Sequence, residues 1–238
     1  MLRSLARAVL FFVLAAAPGR AGAQDFYPGH DIEVLRGEVC MEMEPISGPY
    51  IEEQYPLDAD TLRRRALEEA AMFYSAMIYG WSFHYDIGEK ARGIPEEFEL
   101  EPLGTIPWGD PGLFATDVEF RDMKLFLWTD YRLGEAQKRR IGAWRAGMTR
   151  SIQGIGYGPL GGPPDVRGWI DIKKNALKDA ARSAVRAMLR QLERNRPKEV
   201  TGLICLTAFP KYWMEGGRWA ASGRFRVEVS EIIPFAAY

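Results

Sequence analysis

Histidine and cysteine are nearly missing from this chain. Among 238 residues there are two of each, His30 and His84, Cys40 and Cys205. Nucleophilic triads and zinc sites need several such groups in one place. No serine lies in a Gly-x-Ser-x-Gly context either. His84-Tyr-Asp86 offers two metal ligands at most, since alternate residues on an extended chain share a face without converging, and no second cluster completes four ligands. No catalytic, metal or cofactor residue is expected, and the chain reads as non-enzymatic. The two cysteines leave an alternative open. They are bridged, as an exported chain allows, or they are two buried free thiols in apolar strand contexts.

A charge surplus is lacking as well. The full sequence has net charge −1, which leaves no bulk basic footprint for nucleic acid. No run after residue 23 is apolar enough to cross a bilayer. Residues 1–23 themselves have the pattern of a secretory leader: Arg3 and Arg7, an apolar run over 8–17, then the small-x-small site Ala21-Gly22-Ala23. No cysteine follows that site, which argues against lipid attachment there. Removing the leader takes three of the 31 basic residues and none of the 32 acidic ones, so the remaining chain carries about −4. A periplasmic location is expected.

What the sequence does contain is an echo. Ile172-Lys-Lys-Asn-Ala-Leu-Lys-Asp-Ala-Ala181 repeats the pattern of Leu62-Arg-Arg-Arg-Ala-Leu-Glu-Glu-Ala-Ala71 at a constant offset. Self-similarity of this kind marks two copies of one structural unit. The expected organisation is a first repeat over 24–133 with a Trp/Pro/Gly-rich insertion at about 81–114, a connector over 134–150, and a second repeat over 151–238. Each repeat reads strand–helix–strand–strand, an α+β unit whose helix covers one face of an antiparallel sheet.

In the first repeat, alternation over 32–44 predicts a strand with Ile32, Val34, Val39, Met41 and Met43 on one face and a bulge or phase change at Gly37. A helix over 61–79 follows, capped by Asp58 or Asp60. The insertion is given at most a short strand. Residues 115–128 read as one strand with a bulge at Arg121-Asp122. The second repeat reads as a strand over 151–157, a helix burying Ile172, Ala176, Leu177, Ala180, Ala184, Val185, Met188, Leu189 and Leu192, and two strands over 199–209 and 218–233. Gly216-Gly217 makes the turn between those strands.

Gly156-Tyr-Gly-Pro-Leu-Gly161 matches the dinucleotide fingerprint G-x-G-x-x-G, but Pro159, Pro163 and Pro164 separate it from the next helix, so no helix N-terminus meets a phosphate. It reads as a strand-to-helix loop. The acidic group Glu96, Glu97, Glu99 and Glu101 reads as a solvated loop face. Lys174, Lys178, Arg182, Arg186 and Arg190 recur every four residues and drift about 40° per step around the helix. They form a solvated face or a contact for an anionic surface such as lipid headgroups. Seven tryptophans are present; Trp81, Trp108, Trp213 and Trp219, with Tyr212, are candidate interface residues.

With these residues in view, the chain resembles exported bacterial envelope proteins: the FlgT-like N-terminal domain of flagellar assembly proteins and related small outer-membrane lipoprotein-like domains. Both repeats carry the first element of that resemblance, a glycine-containing strand (Arg36-Gly-Glu-Val39; Gln153-Gly-Ile-Gly156) before an alanine-rich helix (Arg65-Ala-Leu-Glu-Glu-Ala-Ala71; Asn175-Ala-Leu-Lys-Asp-Ala-Ala181). The second repeat adds Trp213-Met-Glu-Gly-Gly-Arg-Trp219 before Phe225-Arg-Val-Glu-Val229. The resemblance implies a structural or assembly role, flagellum-associated in some members, through envelope proteins or self-association. The alternative is a periplasmic small-molecule or glycan binder using the cleft between the repeats, with Trp81, Trp108 and Tyr85 as stacking surfaces.

Overall fold

The computed structural model describes residues 32–43, 56–89, 92–147, 151–160, 169–192 and 197–234. The leader pattern, His30 and Gly161 with the prolines after it lie outside them. In chain order the elements are β1 (Val34–Glu42), α1 (Ala59–Ile78), β2 (Trp81–Asp86), β3 (Glu97–Pro102), β4 (Leu113–Arg121), β5 (Lys124–Arg132), α2 (Glu135–Ala146), β6 (Ser151–Tyr157), α3 (Trp169–Leu192), β7 (Pro197–Leu206), β8 (Lys211–Glu215) and β9 (Arg218–Pro234).

The strands form two antiparallel sheets, one ordered β1-β5-β4 and the other β3-β2-β7-β9-β6, with β8 also paired to β9. The repeat is visible in that order. In each unit the first strand (β1, β6) pairs with the last (β5, β9), which pairs with the middle one (β4, β7), and the long helix lies on the sheet. The fold is α+β, with two tandem strand–helix–strand–strand units.

The echoed helix residues are the buried faces. Ala66, Ala70, Ala176 and Ala180 are all fully buried, and small side chains let each helix lie close to its sheet. In the second unit the approach is closer still. A Cβ on Gly154 would lie 2.0 Å from the Ala180 carbonyl oxygen, and one on Gly156 would lie 1.9 Å from the Ala180 nitrogen. The glycine pattern that mimics a nucleotide loop is therefore the seat of α3 on β6.

Local chemistry sets the ends of α1. The Asp58 carboxylate accepts from the Asp60 and Thr61 amides at 3.0 and 2.9 Å, an N-cap. At the other end Gly80 takes φ +70°, with its amide bonded to the Ser75 carbonyl, the left-handed stop that glycine makes without strain.

Three expectations are corrected. Gly37 is neither a bulge nor a phase change: β1 pairs residue for residue with β5, and its buried row is Leu35, Val39 and Met41. Gly37 belongs to the same row, where a Cβ would strike the Phe209 ring at 2.3 Å. Arg121-Asp122 is no bulge in one strand. Asp122 and Met123 both have positive φ, as a two-residue hairpin turn requires, and they join two separate strands. The insertion is more than a short strand, because β2 and β3 form a hairpin that pairs with β7 of the second unit.

That hairpin and the unit junction merge the core. Tyr85 and Phe83 of β2 lie opposite Val200 and Gly202, and a Cβ on Gly202 would lie 2.7 Å from the Phe83 ring. At the junction Phe73 of α1 meets Phe209 edge-on at 5.0 Å and stacks with Tyr212 at 5.9 Å. The Tyr74 hydroxyl donates to the Thr129 carbonyl at 2.7 Å.

Candidate interaction surface

β4 is an open edge. Among the described residues it pairs only with β5. A register shift between Ala115 and Asp117 leaves Asp117–Arg121 as a regular run opposite Trp128, Leu127, Phe126, Leu125 and Lys124. Val118 and Phe120 share the helix-side row with Leu127 and Leu125. Those two β5 residues are buried, whereas Val118 and Phe120 remain 38% and 45% exposed. Met123 at the turn and Phe114 on the strand add to the exposed apolar surface. Arg63 and Leu67 of α1 form a groove of about 330 Å³ with Ala115 to Val118 and Leu127.

The second unit shows what such an edge looks like when it is covered. β7 holds the position that β4 holds in the first unit. The β2–β3 hairpin lies along β7, and Phe83, Tyr85 and Phe98 are buried there. Among the described residues nothing lies against β4 in the same way. An uncovered strand edge presents a row of free amides and carbonyls, a template for another chain.

The tryptophans and tyrosine singled out from sequence separate into two groups. Tyr212 and Trp219 are engaged inside the chain: their rings meet at 6.3 Å, the Lys173 ammonium sits 5.3 and 5.1 Å from them, and the Tyr212 hydroxyl donates to the Lys173 carbonyl. Trp81, half-buried, packs on the core. Trp213 is half-buried and donates to Glu215. Trp108 is 60% exposed, in a turn.

The basic series on α3 is not one continuous face. Lys174 pairs with Asp171 at 3.0 Å, and Arg182 pairs with Asp179. Arg186 reaches the β2–β3 hairpin, donating to the Tyr85 hydroxyl at 2.7 Å and to Glu96. Lys178 and Arg190 are exposed. Glu96 is thereby no solvated loop acid. Burial would raise its carboxyl, but hydrogen bonds from Tyr85 and Arg186 outweigh that and hold it below the usual range. Burial, then the bond to Glu96, pushes the Tyr85 hydroxyl up to about 12.

His84 gains a neighbour that the sequence did not reveal. Its Nε2 lies 3.3 Å from Asp86, and its Nδ1 lies 3.6 Å from Glu199 on β7. One ring nitrogen faces each acid, and one ligand atom from each of the three residues lies within 4.8 Å of the others, so the strand pairing assembles a trio that could hold a metal ion. The cysteines are free thiols on different sheets, Cys205 buried and Cys40 half-buried. Burial pushes Cys205 up to about 12 and raises Cys40 as well, so neither is an activated nucleophile.

An α+β double repeat in which, among the described residues, β7 is covered by a hairpin and its counterpart β4 stands at a sheet edge is the class of protein that these features define. A protein-family model matches residues 26–235, and the chain belongs to that family. It is similar to an uncharacterised protein of Treponema pallidum (strain Nichols), 26% identical over 171 residues that cover 72% of this chain and 69% of the relative. No solved structure matches the chain. No described helix is long and apolar enough to cross a membrane.

Proposed function

We propose that this is an exported, non-enzymatic assembly protein of the bacterial envelope, working through protein–protein contact at the β4 edge. The observation that carries this reading is the apolar row Val118 and Phe120 on an edge strand whose outer side no described residue covers, while its counterpart in the second unit is covered. Exposed apolar patches mark interaction sites. Export rests on the leader pattern of residues 1–23, and a place in the envelope, flagellum-associated or otherwise, on the FlgT-like resemblance. The ligand-binding alternative has less to build on. Tyr85 is buried, and the junction between the units is filled by Phe73, Phe209, Tyr212 and Trp219.

The test is crosslinking of the tagged protein in native envelope fractions, beside a Val118→Lys variant. Recovery of envelope proteins, or of further copies of the chain, that the variant loses is the expected result. Recovery of the protein alone, or of partners that the variant keeps, would overturn the reading.

A further inference from the structure

The occupant of the β4 edge can be read from its side chains, granting the assembly role above. We propose that a second copy of this chain pairs β4 against β4, antiparallel about a two-fold axis at Glu119, joining two three-stranded sheets into one of six strands.

The pairing follows from the pleat. Residues opposite each other across an antiparallel pair point to the same face. Asp117, Glu119 and Arg121 lie opposite Trp128, Phe126 and Lys124, on the face away from α1, while Val118 and Phe120 lie on the helix side. A two-fold axis that keeps both helices on one face must therefore pass through a residue. The regular run Asp117–Arg121 has its midpoint at Glu119. Centred there, Val118 meets Phe120 of the other copy twice, apolar on apolar. Asp117 meets Arg121 twice, opposite charge on opposite charge. Such cross-strand pairs are the unit of sheet stabilisation.

The neighbouring centre at Val118 would set Asp117 against Glu119 twice. The centre at Phe120 would run the pairing into the Asp122-Met123 turn. Charge and register thus favour one arrangement. Arg121 is exposed and shared between Glu119 and Asp122 of its own chain, contacts that surface screening leaves weak and that the partner's carboxylate can replace. Glu119 meets its own copy at the axis. That repulsion keeps the pairing reversible, and its removal should tighten it. The interface is isologous and closes as a dimer.

Sedimentation of the full chain freed of its leader, from about 1 to about 500 µM, spans the affinities expected of a small interface. The average mass should rise toward that of a dimer with concentration. Asp117→Arg and Arg121→Asp should each weaken association by about tenfold or more, a loss of roughly one good charge pair per site, and the double swap should restore it. Glu119→Gln should tighten it. All three substitutions are at exposed positions, so melting curves should stay near that of the parent. A chain monomeric throughout, or a dimer indifferent to the swaps, would overturn the pairing. If the chain stays monomeric while crosslinking to an envelope protein still depends on Val118, the homotypic pairing fails and the assembly reading stands.

Discussion

Glu69 of α1 and Lys173 of α3 form a buried ion pair between the two repeats, with the ammonium 2.6 and 2.9 Å from the two carboxylate oxygens. The side chains are 2% and 6% exposed. The same ammonium faces the rings of Tyr212 and Trp219, and so an aromatic cluster legible in the sequence as an interface is organised around an internal cation. Burial pushes the Glu69 carboxyl up, and Lys173 opposes that shift.

Breaking this pair from one side strands a buried charge. Glu69→Gln should cost about 3–5 kcal/mol in urea unfolding, whereas Glu69→Leu with Lys173→Met should cost far less, because the desolvation penalty disappears along with the attraction. A Glu69→Gln chain within about 1 kcal/mol of the parent would contradict a structural role for the pair.

Gly156→Ala should destabilise by about 3 kcal/mol or more, since the added carbon meets helix backbone and not a flexible side chain. Gly142 of α2 has open space at the same test, and Gly142→Ala should stabilise by roughly 0.5–1 kcal/mol. Equal effects at the two positions would mean that α3 does not sit on β6 as closely as described.

Alkaline pH should weaken the fold through Tyr85. An unfolded tyrosine ionises near 10, while burial and the bond to Glu96 hold Tyr85 to about 12. Between those values the folded chain keeps a proton that the unfolded chain has released, so stability falls as pH rises. Tyr85→Phe should make that slope shallower, by no more than about 3 kcal/mol over the window. An unchanged slope between pH 10 and 12 would count against the Tyr85, Glu96 and Arg186 arrangement.

Both thiols should be free. Unfolded under non-reducing conditions, the chain should react with two equivalents of a thiol reagent, and Cys205 of the folded chain should react slowly at pH 8. A mass two hydrogens lighter before reduction would show a bridge instead.

Much of this fold was legible locally. The α3 stripe, the Asp58 cap and β6 follow from periodicity and capping chemistry. What escaped was non-local. Nothing near residues 81–102 says that they pair with β7, about a hundred positions later. The Asp122-Met123 turn was missed because a methionine at positive φ is uncommon. β4 shows the same limit: Val118 and Phe120 alternate onto one face of a strand, and whether that face is covered depends on a neighbour that the local pattern does not contain. His84 likewise meets Glu199 only through the β2–β7 pairing.

The most direct measurement places a photocrosslinking residue at Val118, and a control one at Lys178 on the exposed face of α3, in the protein within the intact cells that make it. A discrete adduct from Val118, absent from Lys178, is the expected result, with a mass that identifies the partner or a second copy. No adduct from Val118, or the same adducts from both positions, would contradict an assembly role for the β4 edge.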